Sequence, residues 1–219
     1  MRSRLDPMRE GFFTQPLYWL SRGFVYLCLL LKYRMRVVGR AHVPAAGGVI
    51  IAANHCSYLD PPVMGGANSM RIVHFLARDT LLSNPLARWF FPRVGVIAID
   101  RTRGDLGALK KAIATLKEGK VVGLFPEGTR SPDGRIREAK GGIGFLIAKG
   151  GVPVVPMHIS GTFEAFPKGA SKFMPSRIIA RFGPPITPEE LRAAMPGKND
   201  YAAVGALVMQ RIRALAEPS

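Results

Sequence analysis

From Met35 onward, short β-branched runs alternate with segments whose apolar residues recur at helical spacing, and this alternation constrains the fold more than any other feature. Met35–Val38, Val49–Ala53, Ile72–Leu76, Val96–Ile99, Val121–Phe125, Val152–Met157 and Ile178–Phe182 read as strands. Leu106, Leu109, Ile113 and Leu116 form a helical stripe, with Asp105 placed to cap its start and Gly119 its end. Asn84-Pro85 opens another helix, Gly142–Lys149 reads as a short Gly-rich one, and Tyr201–Leu215 as a terminal amphipathic one. Strands that take turns with helices pair in parallel, because a crossover brings the chain back to the same end of the sheet. The expectation is an α/β fold, a central, largely parallel mixed sheet of about seven strands flanked by helices. The prolines of Val152-Pro153-Val154-Val155-Pro156 predict an edge strand or a bulge.

The first 36 residues differ from the rest. Pro16–Leu31 is apolar and aromatic, broken by Ser21, Arg22 and Gly23, and basic residues flank it on both sides. Its uninterrupted apolar piece, Gly23–Leu31, is nine residues, where a membrane-spanning helix needs about 20. No small-residue cleavage pattern follows, which argues against a signal peptide. The pattern predicts a helix or helical hairpin in the headgroup region, with Trp19, Tyr18 and Phe24 at the interface. The alternative is an N-terminal helix packed on the protein's own core. Residues 1–36 are accordingly read as an interfacial anchor and residues 37–219 as the α/β domain.

Charge narrows the partners. Thirty-one Lys and Arg against 15 Asp and Glu give +16, and all but four of the basic residues precede Gly183. A basic body suits an anionic partner, and a hydrophobic fraction of 47% favours a membrane surface among such partners. No stretch interleaves stacking aromatics with basic residues, so nucleic acid is not expected. Two cysteines, Cys28 and Cys56, form no CxxC or disulfide framework, and the four histidines show no metal-ligand spacing.

Two strings carry the chemistry. In Asn54-His55-Cys56-Ser57-Tyr58-Leu59-Asp60, an imidazole follows a strand and a carboxylate comes five positions later. On a continuous helix these side chains would lie about 140° apart, so they meet only if the backbone turns, and Ser57 offers hydrogen bonds for such a turn. If they meet, Asp60 orients one imidazole nitrogen and the other accepts a proton. The competing reading is Asp60 as a helix N-cap before Pro61, with an incidental histidine. In Phe125-Pro126-Glu127-Gly128-Thr129-Arg130-Ser131, Gly128 permits close backbone approach and Arg130 presents a planar fork for phosphate oxygens. Glu127 beside that cation suggests an acceptor for a substrate hydroxyl; a surface Glu–Arg turn is the alternative. Arg101 ends Gly95–Arg101 at another strand terminus and is a candidate to form one anion clamp with Arg130; a solvated surface charge is the alternative for each. No Gly-x-Ser-x-Gly elbow is present, which disfavours a covalent enzyme intermediate, and Cys56 reads as packing.

In this order the strings resemble the glycerolipid acyltransferase family, in its 1-acylglycerol-3-phosphate acyltransferase branch. The likeness rests on Asn-His-x-x-x-x-Asp, Gly-x-Ile-x-Ile-x-Arg, Phe-Pro-Glu-Gly-Thr-Arg-Ser and Val-Pro-Val-x-Pro, with Ala98 where an aromatic is usual, and spans Val37 to Gly183. The resemblance implies His55 as general base and Asp60 as its partner. It implies Arg101, Glu127, Gly128, Thr129 and Arg130 as the phosphate and glycerol site, with Arg78 at a position that is often basic. It further implies acyl transfer from acyl-CoA or acyl-carrier protein to the sn-2 hydroxyl of lysophosphatidic acid, without metal or cofactor, on the cytoplasmic face of an anionic phospholipid membrane. Another lysolipid acceptor, or thioester hydrolysis, is the alternative.

Overall fold

The computed structural model describes residues 15–68, 71–99, 106–195, 197 and 199–216. In chain order the elements are α1 (Pro16–Tyr33), β1 (Arg36–Val38), β2 (Val49–Ala53), α2 (Asp60–Ala67), β3 (Val73–Arg78), α3 (Pro85–Arg93), β4 (Val96–Ile99), α4 (Leu106–Lys117) and β5 (Val121–Leu124). Then follow α5 (Gly141–Gly150), β6 (Val154–Ser160), α6 (Thr162–Ala165), β7 (Ile179–Phe182), α7 (Pro188–Ala193) and α8 (Tyr201–Ala214). The strands form one sheet in the order β1-β7-β6-β2-β5-β3-β4. Every pairing is parallel except β6 with β7, so β1 and β7 run against the other five strands.

Helices cover both faces. Leu29 and Tyr33 of α1 and Val63 and Met64 of α2 pack on Ile51, Val155 and Met157. On the opposite face Leu116 of α4, Leu146 and Ile147 of α5 and Val208 of α8 pack on Ile50, Val122 and Val154. A strand buried on both faces needs an uninterrupted apolar sequence, and all five residues of β2 are buried. Local signals set several helix ends. Asn84 Oδ1 accepts from Ala87 N–H at 2.8 Å with Pro85 in the first turn, as its sequence predicts. Gly119, at φ +77°, follows the end of α4, while Asp105, expected at its start, lies outside the described residues. At Gly144 a Cβ would stand 1.8 Å from the Tyr201 carbonyl oxygen, so α5 and α8 approach at a distance only glycine permits.

Of the edge strand and the bulge expected for these prolines, the edge is excluded: β6 lies inside the sheet, and Pro156 pairs with Ala52 of β2. The missing N–H is tolerated because it falls where pairing with the β7 side is irregular. Met157 faces Phe182 and Val154 faces Ile186, leaving Val155 and Pro156 opposite Gly183, Pro184 and Pro185. The bulge-like slip, rather than an edge position, accommodates the proline.

The N-terminal segment, where described, is the single helix α1 rather than a hairpin. It buries Tyr18, Leu29 and Tyr33, and the Tyr18 hydroxyl accepts from Val73 N–H at 3.0 Å. Arg22 donates to the carbonyls of Gly65, Gly66 and Asn68 at 3.0 to 3.2 Å, satisfying backbone groups at the end of α2. The opposite stripe, Leu20, Phe24, Leu27 and Leu31, is exposed. Among the described residues no helix is long and apolar enough to cross a membrane.

Candidate functional site

Sheet register brings the two strings together. β2 and β5 are parallel neighbours, with Ala52 opposite Leu124, so both strings leave the sheet side by side at its carboxyl end. Asn54 continues the β2–β6 pairing with its side chain: Oδ1 accepts from Ile159 N–H at 2.8 Å, and Nδ2 donates to the Ile159 carbonyl at 2.9 Å. This latch fixes where the chain departs from the sheet, and His55 is the next residue.

The backbone then turns as a meeting of His55 and Asp60 requires. The Ser57 hydroxyl accepts from Leu59 N–H at 3.0 Å and donates to the Phe166 carbonyl at 2.7 Å. Asp60, fully buried, points its carboxylate back into the turn rather than along α2. Its Oδ2 accepts from Cys56 N–H at 2.7 Å and Ser57 N–H at 2.8 Å, and lies 2.8 Å from His55 Nδ1. A carboxylate only accepts, so Nδ1 carries the hydrogen and Nε2 presents its lone pair. Nε2 is bonded to none of the described residues, and the imidazole side chain is 17% exposed. The ring stacks on Phe125, with centroids 4.2 Å apart and planes 20° from parallel. A buried acceptor, a stacked ring and an open nitrogen make a preorganised proton acceptor.

The second string supports the first. Ser131 N–H donates to the His55 carbonyl at 2.7 Å, and His55 N–H donates to Glu127 Oε1 at 2.8 Å. Glu127 is only 2% exposed, and the carboxylate expected to receive a substrate hydroxyl holds the main chain of His55 through Oε1. Burial pushes Glu127 up to about 6, opposed by hydrogen bonds from the backbone of His55 and Arg137. Gly128 has φ +67°, and Lys140 leaves little room there: a Cβ would lie 2.9 Å from its Cδ. Thr129 is exposed. The Arg130 guanidinium lies over the Tyr58 ring, 3.4 Å from its centroid, and its Nη1 is buried without a partner among the described residues. Arg78 closes β3 opposite Ile99, but its side chain, like the whole of Arg101, lies outside the described residues, so the expected two-arginine clamp is described only at Arg130. Cys56 is packing: burial, with the Asp60 carboxylate nearby, pushes its thiol up to about 12.

Sequence reasoning gave no role to Asn54, Phe125, Tyr58 or Ser131. All four stand inside the strings it quoted, but their partners, Ile159, His55 and Arg130, become neighbours only through strand register.

Buried titratable groups also set a pH response. Burial, helped by the charges of Arg181 and Lys120 respectively, pushes His158 and His74 down to about 4. The unfolded chain takes up these protons near pH 6.5 and the fold refuses them until about 4, so stability falls as pH drops through that window. Glu127 works the other way: the fold takes its proton near pH 6 and the unfolded chain near 4.5, a partial offset. His158 Nδ1 is buried without a partner among the described residues, so leucine is a fair replacement. His158→Leu is expected to reduce the acid-side loss of stability by up to about 3 kcal/mol, read from urea midpoints across the window. A difference from the parent protein that does not vary with pH would refute this.

A family model for acyltransferases matches residues 34–160, which hold His55, Asp60 and the second string. The chain is 27% identical over 202 residues to a 1-acyl-sn-glycerol-3-phosphate acyltransferase of Bacillus subtilis, covering 91% of this chain and 96% of that protein. It is 29% identical over 158 residues to a lyso-ornithine lipid O-acyltransferase of Pseudomonas aeruginosa, covering 72% of this chain and 57% of that one. The crystal structure of the 1-acyl-sn-glycerophosphate (LPA) acyltransferase, PlsC, from Thermotoga maritima superposes with a TM-score of 0.73 at 26% identity, covering 100% of this chain and 85% of that one. With the family model spanning more than half of its residues and the same fold in a solved relative, this chain belongs to the acyltransferase family and is an acyltransferase.

Proposed function

We propose that the protein transfers a fatty acyl group from an acyl thioester to the sn-2 hydroxyl of lysophosphatidic acid, giving phosphatidic acid. The observation that carries this is the Asp60–His55 pair, tied through Ser131 N–H to the turn that holds Arg130, whose Nη1 is buried without a partner among the described residues. In this reading His55 Nε2 takes the proton of the sn-2 hydroxyl as its oxygen attacks the thioester carbonyl. Asp60 steadies the imidazolium that forms, its own Oδ2 held by two backbone amides. The tetrahedral oxyanion then collapses, expelling the thiol of CoA or acyl-carrier protein, and the imidazolium returns the proton to the leaving sulfur. Arg130, with the backbone of Gly128 and Thr129, receives the phosphate; Arg78 and Arg101 are assigned to the same anion by sequence. Glu127 acts through His55, holding its amide. The names of the Bacillus and Thermotoga relatives support this acceptor.

The Pseudomonas relative's name favours a second reading, a lyso-ornithine lipid acceptor. Purified protein given labelled acyl-CoA and a panel of lysophosphatidic acid, lyso-ornithine lipid and water alone decides between them. Turnover dependent on lysophosphatidic acid is expected. Preference for the ornithine lipid would replace that acceptor, and fatty acid release without any acceptor would make the protein a thioesterase.

The exposed stripe of α1 is assigned to an anionic membrane at the cytoplasmic face, where both substrates are reached. Leu20, Phe24 and Leu31 are 76%, 69% and 76% exposed, so serine at all three positions leaves the core intact. The triple variant is expected to lose sedimentation with anionic vesicles, by about tenfold or more per side chain, given about 1.5–3 kcal/mol for each buried residue. An undiminished pellet would refute the assignment.

A further inference from the structure

A line of side-chain contacts leaves the His55–Arg130 site and runs to the last turn of α1. The Arg130 guanidinium lies 3.4 Å from the Tyr58 ring centroid, and the Tyr58 and Phe166 centroids are 6.2 Å apart. Phe166 and Phe173 stack at 4.3 Å, and Lys32 Nζ sits 4.7 Å from the Phe173 centroid. The line is not core: Tyr58 is 59% exposed, Phe173 51% and its neighbour Met174 54%. Yet its backbone is anchored. The Ser57 hydroxyl donates to the Phe166 carbonyl at 2.7 Å, Ser57 bridges Pro167, and Met174 N–H donates to the Ala165 carbonyl at 2.8 Å. Large aromatics fixed half in water forgo apolar burial that a bound chain would restore.

The two ends identify the occupant. At one end Arg130 Nη1 is buried and unpartnered among the described residues, suited to an anion. At the other, Lys32 follows Leu31, the last member of the exposed apolar stripe of α1. A molecule matched to both ends has an anionic head and one apolar tail. We propose that Tyr58, Phe166 and Phe173 seat the acyl chain already carried by the acceptor lysophospholipid, leading it from the lipid face of α1 to Arg130. This rests on the lysophosphatidic acid reading above. The chain is the acceptor's rather than the donor's because the line begins at the cation assigned to the acceptor's phosphate. With the head held at Arg130, each added methylene is half buried against ring surface. It therefore gains about twofold in affinity, where full burial would give about fourfold.

The test is calorimetric titration of the protein, without acyl donor, by lysophosphatidates from hexanoyl to dodecanoyl kept below their micellar concentrations. Affinity is expected to rise about twofold per methylene in the parent protein. Phe173→Ala combined with Met174→Ala should flatten that rise at the longer chains and leave hexanoyl binding unchanged. Equal slopes in both proteins would overturn the proposal, as would an equal loss at every length or no lysophosphatidate binding at all. Turnover with a matching acyl-CoA series separates the donor: flattening there, with the acceptor slope retained, assigns the seat to the donor and also overturns it. Binding with the expected slope but no acyl transfer would remove the proposed reaction and leave the chain seat standing.

Discussion

Replacing His55 with alanine is expected to lower kcat by about 10²–10⁴-fold while leaving acceptor KM and the far-UV spectrum unchanged. The split follows from the geometry. His55 is held through its main chain, by Glu127 and Ser131, and through Nδ1, by Asp60, while Nε2 stands open. An imidazole placed this way contributes to the transition state, where the proton is in flight, and little to the bound ground state. The main-chain bonds survive in the variant, so the loop keeps its path. Rate measurements at saturating lysophosphatidic acid and acyl-CoA check the prediction. Turnover within a fewfold of the parent protein would remove His55 as the base.

Asp60 is expected to show a double loss. Asp60→Ala strips the acceptor from Cys56 N–H, Ser57 N–H and His55 Nδ1 at a fully buried position. Each buried donor left unsatisfied costs about 1–3 kcal/mol, so two amides alone cost about 2–6 kcal/mol of stability, and activity falls at least as far as in His55→Ala. Asp60→Asn keeps the shape and one acceptor oxygen but loses the charge that steadies the imidazolium. It should fold with a smaller loss and still be slower by about two orders of magnitude or more. Urea unfolding and kcat are measured for both. An active, undestabilised Asp60→Ala would show that this carboxylate does neither job.

The elements were readable wherever local chemistry alone decides them. β2 and β4 match their apolar runs residue for residue, and α3 begins at its Asn-Pro signal. Pro156 left two readings open because an edge strand and an irregularity inside the sheet both excuse a missing N–H, and which one applies depends on strand order. For α1 the structure shows the packing of one face on the protein's own core. Its amphipathic period puts Tyr18, Leu29 and Tyr33 into the core and Leu20, Phe24, Leu27 and Leu31 outside, and the sequence could not say which face met the protein.

The sequence by itself determined the chemistry-bearing groups, a histidine and an aspartate five positions apart and a Glu-Gly-Thr-Arg turn after a strand, because side-chain type and spacing are local properties. Only the tertiary structure decided what each group does. Parallel register between β2 and β5 set Glu127 against the His55 amide and Tyr58 beneath Arg130, and the end of α6 placed Phe166 beside Tyr58. Those partners are far apart in the chain. Contacts between distant residues follow from the order in which strands assemble and faces are buried, which no short window of sequence contains.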